Sequence, residues 1–327
     1  MDDGKKYKHL SVVHYSIAGA CSGFITRAIC QPLDVLKIRF QLQTLSTEQQ
    51  PAKYRFLIQA LCRIVREEGA YALWKGHVPA QALSVIFGSV QFGSYEISRR
   101  KMREWFPFYS MHNASFKYMS DFLCGGLAGV CSSVICQPFD VLRTRLVAQG
   151  EPKQYKGILH AIQLMSKESG IRTFYKGMVP TLAMIFPNMG LHFAFYESFK
   201  QAWDTTVTRM QFSEHPKLKQ LSCGALAGLC SKVILLPLDV AKKRLQYQGF
   251  HGGTHYISTH YTYSGLVDCL ITMTKAEGVA ALFKGAGPSV AKSILTASLT
   301  FFTYEQCCDI MNQYLSKRDM GQSIDDS

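Results

Sequence analysis

The amino-acid sequence predicts an all-α membrane protein: six transmembrane helices in three pseudo-threefold repeats, with three short helices on one face. Three observations carry this expectation. A unit of about 100 residues occurs three times along the 327-residue chain, with the same residue types at the same offsets. Apolar spans recur twice per unit, and the charge-free stretches at 77–95 and 177–196 reach about 20 residues, the length that crosses a bilayer. Between the two spans of each unit lies a short segment, such as 58–68 or 159–168, whose apolar residues follow a helical period and suit a membrane face.

The repeat emerges on aligning Pro32, Pro138 and Pro237. Two residues on stand Asp34, Asp140 and Asp239; five on, Lys37, Arg143 and Lys242; seven on, Arg39, Arg145 and Arg244. Thirteen and nine residues before each proline stand Gly19/Gly23, Gly125/Gly129 and Gly224/Gly228, a G-x-x-x-G pair each time. A second block runs through Tyr54, Tyr155 and Tyr263 to Trp74-Lys75-Gly76, Tyr175-Lys176-Gly177 and Phe283-Lys284-Gly285. Each unit then reaches Tyr95-Glu96, Tyr196-Glu197 or Tyr304-Glu305. The units are bounded at 10–112, 116–208 and 216–315, with a polar tail at 316–327.

Helical spans are expected at 10–40, 77–99, 122–146, 177–200, 218–246 and 285–308. Proline inside a helix removes a backbone hydrogen bond and kinks it, so the odd spans are expected to break at Pro-x-Asp and converge on one end of a cavity. The G-x-x-x-G pairs are expected to let neighbouring backbones approach. The long loops are basic, with seven Lys/Arg against three Asp/Glu over 37–75 and seven against two over 143–176. The positive-inside rule sets these loops on one side of the membrane.

Composition fits this picture. Apolar residues make up 47% and charged residues 18%, below the roughly 25% charged share of soluble domains. The net charge of +13 could serve nucleic acid, an anionic membrane face or an anionic substrate; with the membrane reading, no nucleic-acid partner is expected. Residues 1–9 carry no secretory or cleavable transit pattern, so targeting information is expected within the mature sequence. The eleven cysteines include no Cys-x-x-Cys pair and read as small packing residues, so no metal site or cofactor is expected.

Pro-x-Asp-x-x-[Lys/Arg]-x-Arg followed by the aromatic-Lys-Gly block, three times over, resembles the signature of the mitochondrial carrier family. The resemblance implies a carrier of the inner mitochondrial membrane, not an enzyme, working by alternating access with the long loops in the matrix. It implies a matrix gate of ion pairs Asp34–Arg143, Asp140–Lys242 and Asp239–Lys37. Gln41 and Gln246, nine residues after their prolines, brace it, while Val147 leaves the third brace out. A cytoplasmic gate follows from Tyr95, Glu96, Arg99, Tyr196, Glu197, Lys200, Tyr304 and Glu305. Cys308 replaces its third base, so only Arg99–Glu197 and Lys200–Glu305 are expected. Cardiolipin is expected at the helix N-termini near Trp74-Lys75-Gly76 and its equivalents, with Glu168 one position early beside Ser169 in the second copy. A monomer is expected.

For the substrate, Arg27 and Lys232 stand five residues before their prolines and Lys292 seven after Gly285. At equivalent depths and with no acid between the gates, three cations read as a polyanion site. Gln91, Asn188 and His192 are candidate partners for a base, and Leu83, Met184 and Ile185 mark the remaining contact positions. Three runs, above all Gly-His-Val-Pro-Ala-Gln at 76–81, narrow the resemblance and imply thiamine pyrophosphate, exchanged for (deoxy)nucleotides. The alternative cargo is another phosphorylated heterocycle, such as a nucleotide or coenzyme A. A protein that dissipates protons or scaffolds partners is the rival class, and the cation cluster favours transport. The P-loop-like run at 287–293 lacks its second glycine and a preceding strand. His251, His255 and His260 read as an exposed insertion.

Overall fold

The computed structural model describes residues 12–44, 54–105, 114–210, 216–250 and 261–325; the His251–His260 segment lies outside them. Its long helices are α1 (Val12–Leu42), α3 (His77–Trp105), α4 (Ala114–Ala148), α6 (Met178–Met210), the pair α7 (Pro216–Ile234) and α8 (Leu236–Tyr247), and α10 (Ala286–Asp325). The three short helices are α2 (Leu57–Glu68), α5 (Ile158–Ser169) and α9 (Leu266–Glu277), each followed by a 3-10 turn. The last helix runs on through most of the tail expected to be merely polar.

The expected break at each Pro-x-Asp occurs once. Hydrogen bonding carries α1 through Pro32 and α4 through Pro138. The third copy is interrupted at Leu235 and bends by 55° between α7 and α8. Leu235 N–H there closes on the Ser231 carbonyl, so the ladder is made good on both sides of the bend.

The extensive helix pairings join one repeat to the next: α3 on α4, α6 on α7, and α10 back on α1. This closes the six spans into a ring. By apolar length alone, only the stretches 118–148 and 158–206, and the bent α7–α8 pair, qualify as bilayer spans among the described residues. Charged and polar side chains facing inward dilute the other spans. Many large apolar side chains along the spans, such as Val85, Ile97 and Ile294, are exposed, as a protein that meets lipid requires.

The G-x-x-x-G pairs behave unequally. A side chain at Gly129 would meet Ile185 of α6, and one at Gly126, beside the pair, would meet Phe186, but Gly19, Gly23 and Gly224 have open space beside them. Close approach is therefore confined to the second repeat in this state, with Gly228 near His192 in the third.

The buried core sits at the short-helix end. Val35, Ile38 and Leu42 of α1 meet Val141, Leu142 and Leu146 of α4 and Tyr247 at the end of α8. Each short helix turns its apolar stripe onto its own odd helix: Ala60 and Ile64 under Leu36, and Cys269 and Met273 under Leu236 and Val240.

Candidate functional site

At the short-helix end the odd helices place their signature charges within reach of one another. Arg143 Nη2 lies 2.7 Å from Asp34 Oδ2, Lys242 Nζ 2.8 Å from Asp140 Oδ2, and Lys37 Nζ 2.7 Å from Asp239 Oδ2. All three pairs expected from the resemblance are formed, each between repeats. Gln41 donates to Asp239 at 2.9 Å and Gln246 to Asp140 at 2.8 Å. In the second copy Val147 instead packs where a side chain on Gly76 would stand, 2.9 Å away. Gly177 and Gly285 approach Gln246 and Gln41 in the same way, and all three glycines have φ between 74° and 84°. A left-handed backbone and a close approach both require glycine there.

Below this ring lies a second threefold pattern that the sequence reading did not assemble. Glu68 binds Arg39 and Lys75, Glu168 binds Arg145 and Lys176, and Glu277 binds Arg244 and Lys284. The bases also donate to carbonyls that end the next odd helix. Arg39 reaches Val147 and Lys75 reaches Gln149; Lys176 reaches Gln248; Lys284 reaches Gln43. Cations here complement the negative end of each helix dipole. Each clasp thus ties one repeat to the next. Burial alone would raise the pKa of Glu68, Glu168 and Glu277, but the arginine and then the lysine hold each below its ordinary value. The one-residue offset of Glu168 leaves it 25% exposed, against 4% for Glu68 and 1% for Glu277. Gln43, Gln149 and Gln248, all eleven residues after the prolines, accept from the backbone N–H of Tyr54, Tyr155 and Tyr263. That shared offset was the available signal.

The opposite end is built differently. Lys200 bonds Glu197 on its own helix at 3.3 Å, and Arg99 lies 3.3 Å from Asp121 of α4. Tyr95 donates to the same Asp121 oxygen at 3.3 Å. Neither Arg99–Glu197 nor Lys200–Glu305 is formed among the described residues. The three cross-repeat pairs of the first ring are formed while those of this end are not. Cys308 is buried at 1% exposure.

Between the two ends, Lys292 corrects an expectation. It is not free of acids: its Nζ lies 2.5 Å from Asp34 Oδ1, while Arg143 holds Oδ2 of the same carboxylate. One carboxylate has two oxygens, and the helix register lets α10 supply the second base. Lys232 donates to Ser293 Oγ at 2.5 Å, and Arg27 to the Ala80 carbonyl at 3.0 Å. Asp34 is an electrostatic neighbour of all three cations. Ile185 packs toward Gly129 and His192 toward Gly228, which sets both against neighbouring helices rather than clear of them. Leu83 accepts from the Cys136 thiol through its carbonyl. Gln91 and Asn188 make no hydrogen bond among the described residues, and Met184 is half-buried. The run at 287–293 lies wholly inside helix α10, which excludes a phosphate-cradling loop.

Comparison with known proteins agrees with this architecture. The sequence model of the family described as mitochondrial carrier protein matches three times, at residues 8–105, 114–207 and 213–315. The chain is similar to the mitochondrial thiamine pyrophosphate carrier of Homo sapiens, 42% identical over 93% of this chain and 94% of that one. It is 41% identical to the Bos taurus protein of the same name, over 95% of this chain and 96% of the other. It is 36% identical to the mitochondrial thiamine diphosphate carrier 2 of Zea mays, over 90% and 93%. Three tandem family matches, six long spans and three ion pairs at the signature positions agree: the chain belongs to the mitochondrial carrier family, as a membrane transporter and not an enzyme.

Proposed function

We propose that this chain imports thiamine pyrophosphate across the inner mitochondrial membrane into the matrix, in exchange for nucleotides or deoxynucleotides. The observation that carries the reading is identity of 41–42% along nearly the whole length to proteins named for that cargo. The charge of the site supports it. Arg27, Lys232 and Lys292 gather near Asp34, and a diphosphate entering from the opposite end replaces its lost water with their hydrogen bonds.

The ring around Asp34, Asp140 and Asp239 serves as the matrix gate, braced by Gln41 and Gln246. Lys292 links cargo to gate. A phosphate that captures its ammonium takes one of Asp34's two bases away and leaves Arg143 alone on that acid. Substrate moves the equilibrium only through such a difference in affinity between states. As the matrix gate parts, the opposite end closes through Arg99–Glu197 and Lys200–Glu305, with Tyr95, Tyr196 and Tyr304 beside them. Glu96 has no base to meet, because Cys308 stands where the third would be.

A pocket of about 270 Å³ between the first and second repeats supports a cardiolipin site. It is lined by Trp74, Gly76 and His77 on one side and Lys153, Lys156 and Gly157 on the other. The starts of α3 and α5 meet there, and helix N-termini favour phosphate. A monomer suffices for transport, since every seam of the ring joins two parts of one chain.

The test is exchange in cardiolipin-containing proteoliposomes with labelled thiamine pyrophosphate outside and nucleotides inside. Uptake that depends on internal nucleotide is the expected result. Faster exchange of a nucleotide or of coenzyme A, with thiamine pyrophosphate a poor competitor, would transfer the assignment to that other phosphorylated heterocycle.

A further inference from the structure

We infer that Lys243 is a second matrix-gate cation that stands in for Lys242 on Asp140, so that the three seams of the gate differ in strength. The inference rests on the gate reading above.

Lys243 follows Lys242 in sequence, and the equivalent positions in the other repeats are Ile38 and Thr144. It is therefore no part of the threefold pattern. Its side chain is only 9% exposed. An ammonium has three N–H groups, and all three find acceptors: Asp140 Oδ1 at 2.9 Å, Gln246 Oε1 at 2.9 Å and Thr144 Oγ1 at 3.0 Å. Two of these acceptors belong to α4, across the seam from α8. Those bonds must break whenever α4 and α8 separate. A lysine kept only for packing within α8 would have no need to cross.

The ring then holds five bases for three acids. Asp34 has Arg143 and Lys292; Asp140 has Lys242 and Lys243; Asp239 has Lys37 and the neutral brace Gln41. Among the described residues no second base touches Asp239. The reserve on Asp34 is conditional, because the cargo draws Lys292 away. The reserve on Asp140 is not, because Lys243 is enclosed by its three acceptors. Losing Lys242 leaves Asp140 still bridged to α8, whereas losing Lys37 leaves Asp239 with no ion pair in contact, only the more distant charges of Lys243 and Lys232.

The test needs no substrate. A reporter cysteine is introduced by Ser133→Cys, at the position equivalent to Arg27 and Lys232, in protein whose exposed Cys21, Cys62 and Cys131 are replaced by Ser. The full chain is reconstituted, and a membrane-impermeant thiol reagent is supplied from the short-helix side. Labelling then reports opening of the gate. Lys37→Met is expected to raise the rate about tenfold or more, while Lys242→Met and Lys243→Met each raise it about threefold or less. The double variant Lys242→Met/Lys243→Met is expected to exceed the product of the singles and to match Lys37→Met. Lys243→Arg in the Lys242→Met background should hold labelling down. Thermal unfolding of each variant shows that it is folded; Lys242→Met/Lys243→Thr, which borrows the residue of the second repeat, replaces a double variant that is not. Effects that simply multiply would overturn the role of Lys243 and leave the gate standing. Unchanged labelling in both Lys37→Met and the double variant would remove the gate reading and this inference together.

Discussion

Glu277→Gln is expected to be the most damaging of the three equivalent carboxylate substitutions at the inter-repeat clasps, and Glu168→Gln the mildest. Glu277 is 1% exposed and receives both Arg244 and Lys284, which in turn hold carbonyls of α1 and the turn after it. Gln keeps the shape but removes the charge, leaving two enclosed bases uncompensated at a cost of about 3–5 kcal/mol. Glu168 is 25% exposed and its second base, Lys176, 26%, so water reaches the carboxylate and that lysine, while Arg145 stays enclosed; the loss is smaller, about 2 kcal/mol. Thermal unfolding of the purified carrier reads the difference. A thiol-reactive dye suits it, because Cys30, Cys124, Cys136 and Cys269 are buried until the fold opens. For a chain of this size the gap corresponds to a difference of several degrees in melting temperature. Acid should remove the same stabilisation. The carboxyl of Glu277 is held below its ordinary value of 4.5, so its contribution is complete above that pH and fades as pH falls through the folded value. Glu277→Gln should accordingly flatten the acid limb of the stability profile. A Glu168→Gln variant as unstable as Glu277→Gln would refute the reasoning, because exposure would then not govern the cost.

Three further outcomes are expected. Lys292→Ala should abolish exchange of thiamine pyrophosphate while the protein still folds, and unphosphorylated thiamine should compete poorly; full activity in proteoliposomes would remove Lys292 from the phosphate site. Gly177→Ala places a methyl 2.9 Å from Gln246 Cγ and 3.0 Å from the Lys242 carbonyl, an overlap costing about 1–3 kcal/mol in the gate-closed state. Labelling of the Ser133→Cys reporter from the short-helix side should rise accordingly, and an unchanged rate would show that the turn relaxes freely. Val147→Gln supplies the missing brace in register with Asp34 and should raise the melting temperature while slowing exchange; faster exchange without stabilisation would count against a bracing role.

The periodicity of the chain already settled that three equivalent modules close around an axis. An offset repeated three times constrains helix, face and depth together and so set six charges at one level, while their pairing as Asp34–Arg143, Asp140–Lys242 and Asp239–Lys37 came from the family resemblance. The same alignment announced two braces rather than three, through Val147, and a missing base at Cys308. Contacts made by residues outside the repeated pattern were not legible in that way. Lys292 was read as a free cation because it lies 258 residues from Asp34, and only the register of α10 against α1 brings their charges together. Lys243 stood in plain view beside Lys242, but a helix turns about 100° per residue. Whether it pointed to lipid, to core or to Asp140 depended on where α4 came to lie. The equal prolines gave unequal breaks: α1 runs through Pro32 and α4 through Pro138, whereas the third span bends by 55° at Leu235. Which of the two rings of charges is paired belonged to tertiary structure altogether. The same charged residues can pair at either end, and which end is shut is a matter of helix tilt, a degree of freedom that a one-dimensional pattern does not contain.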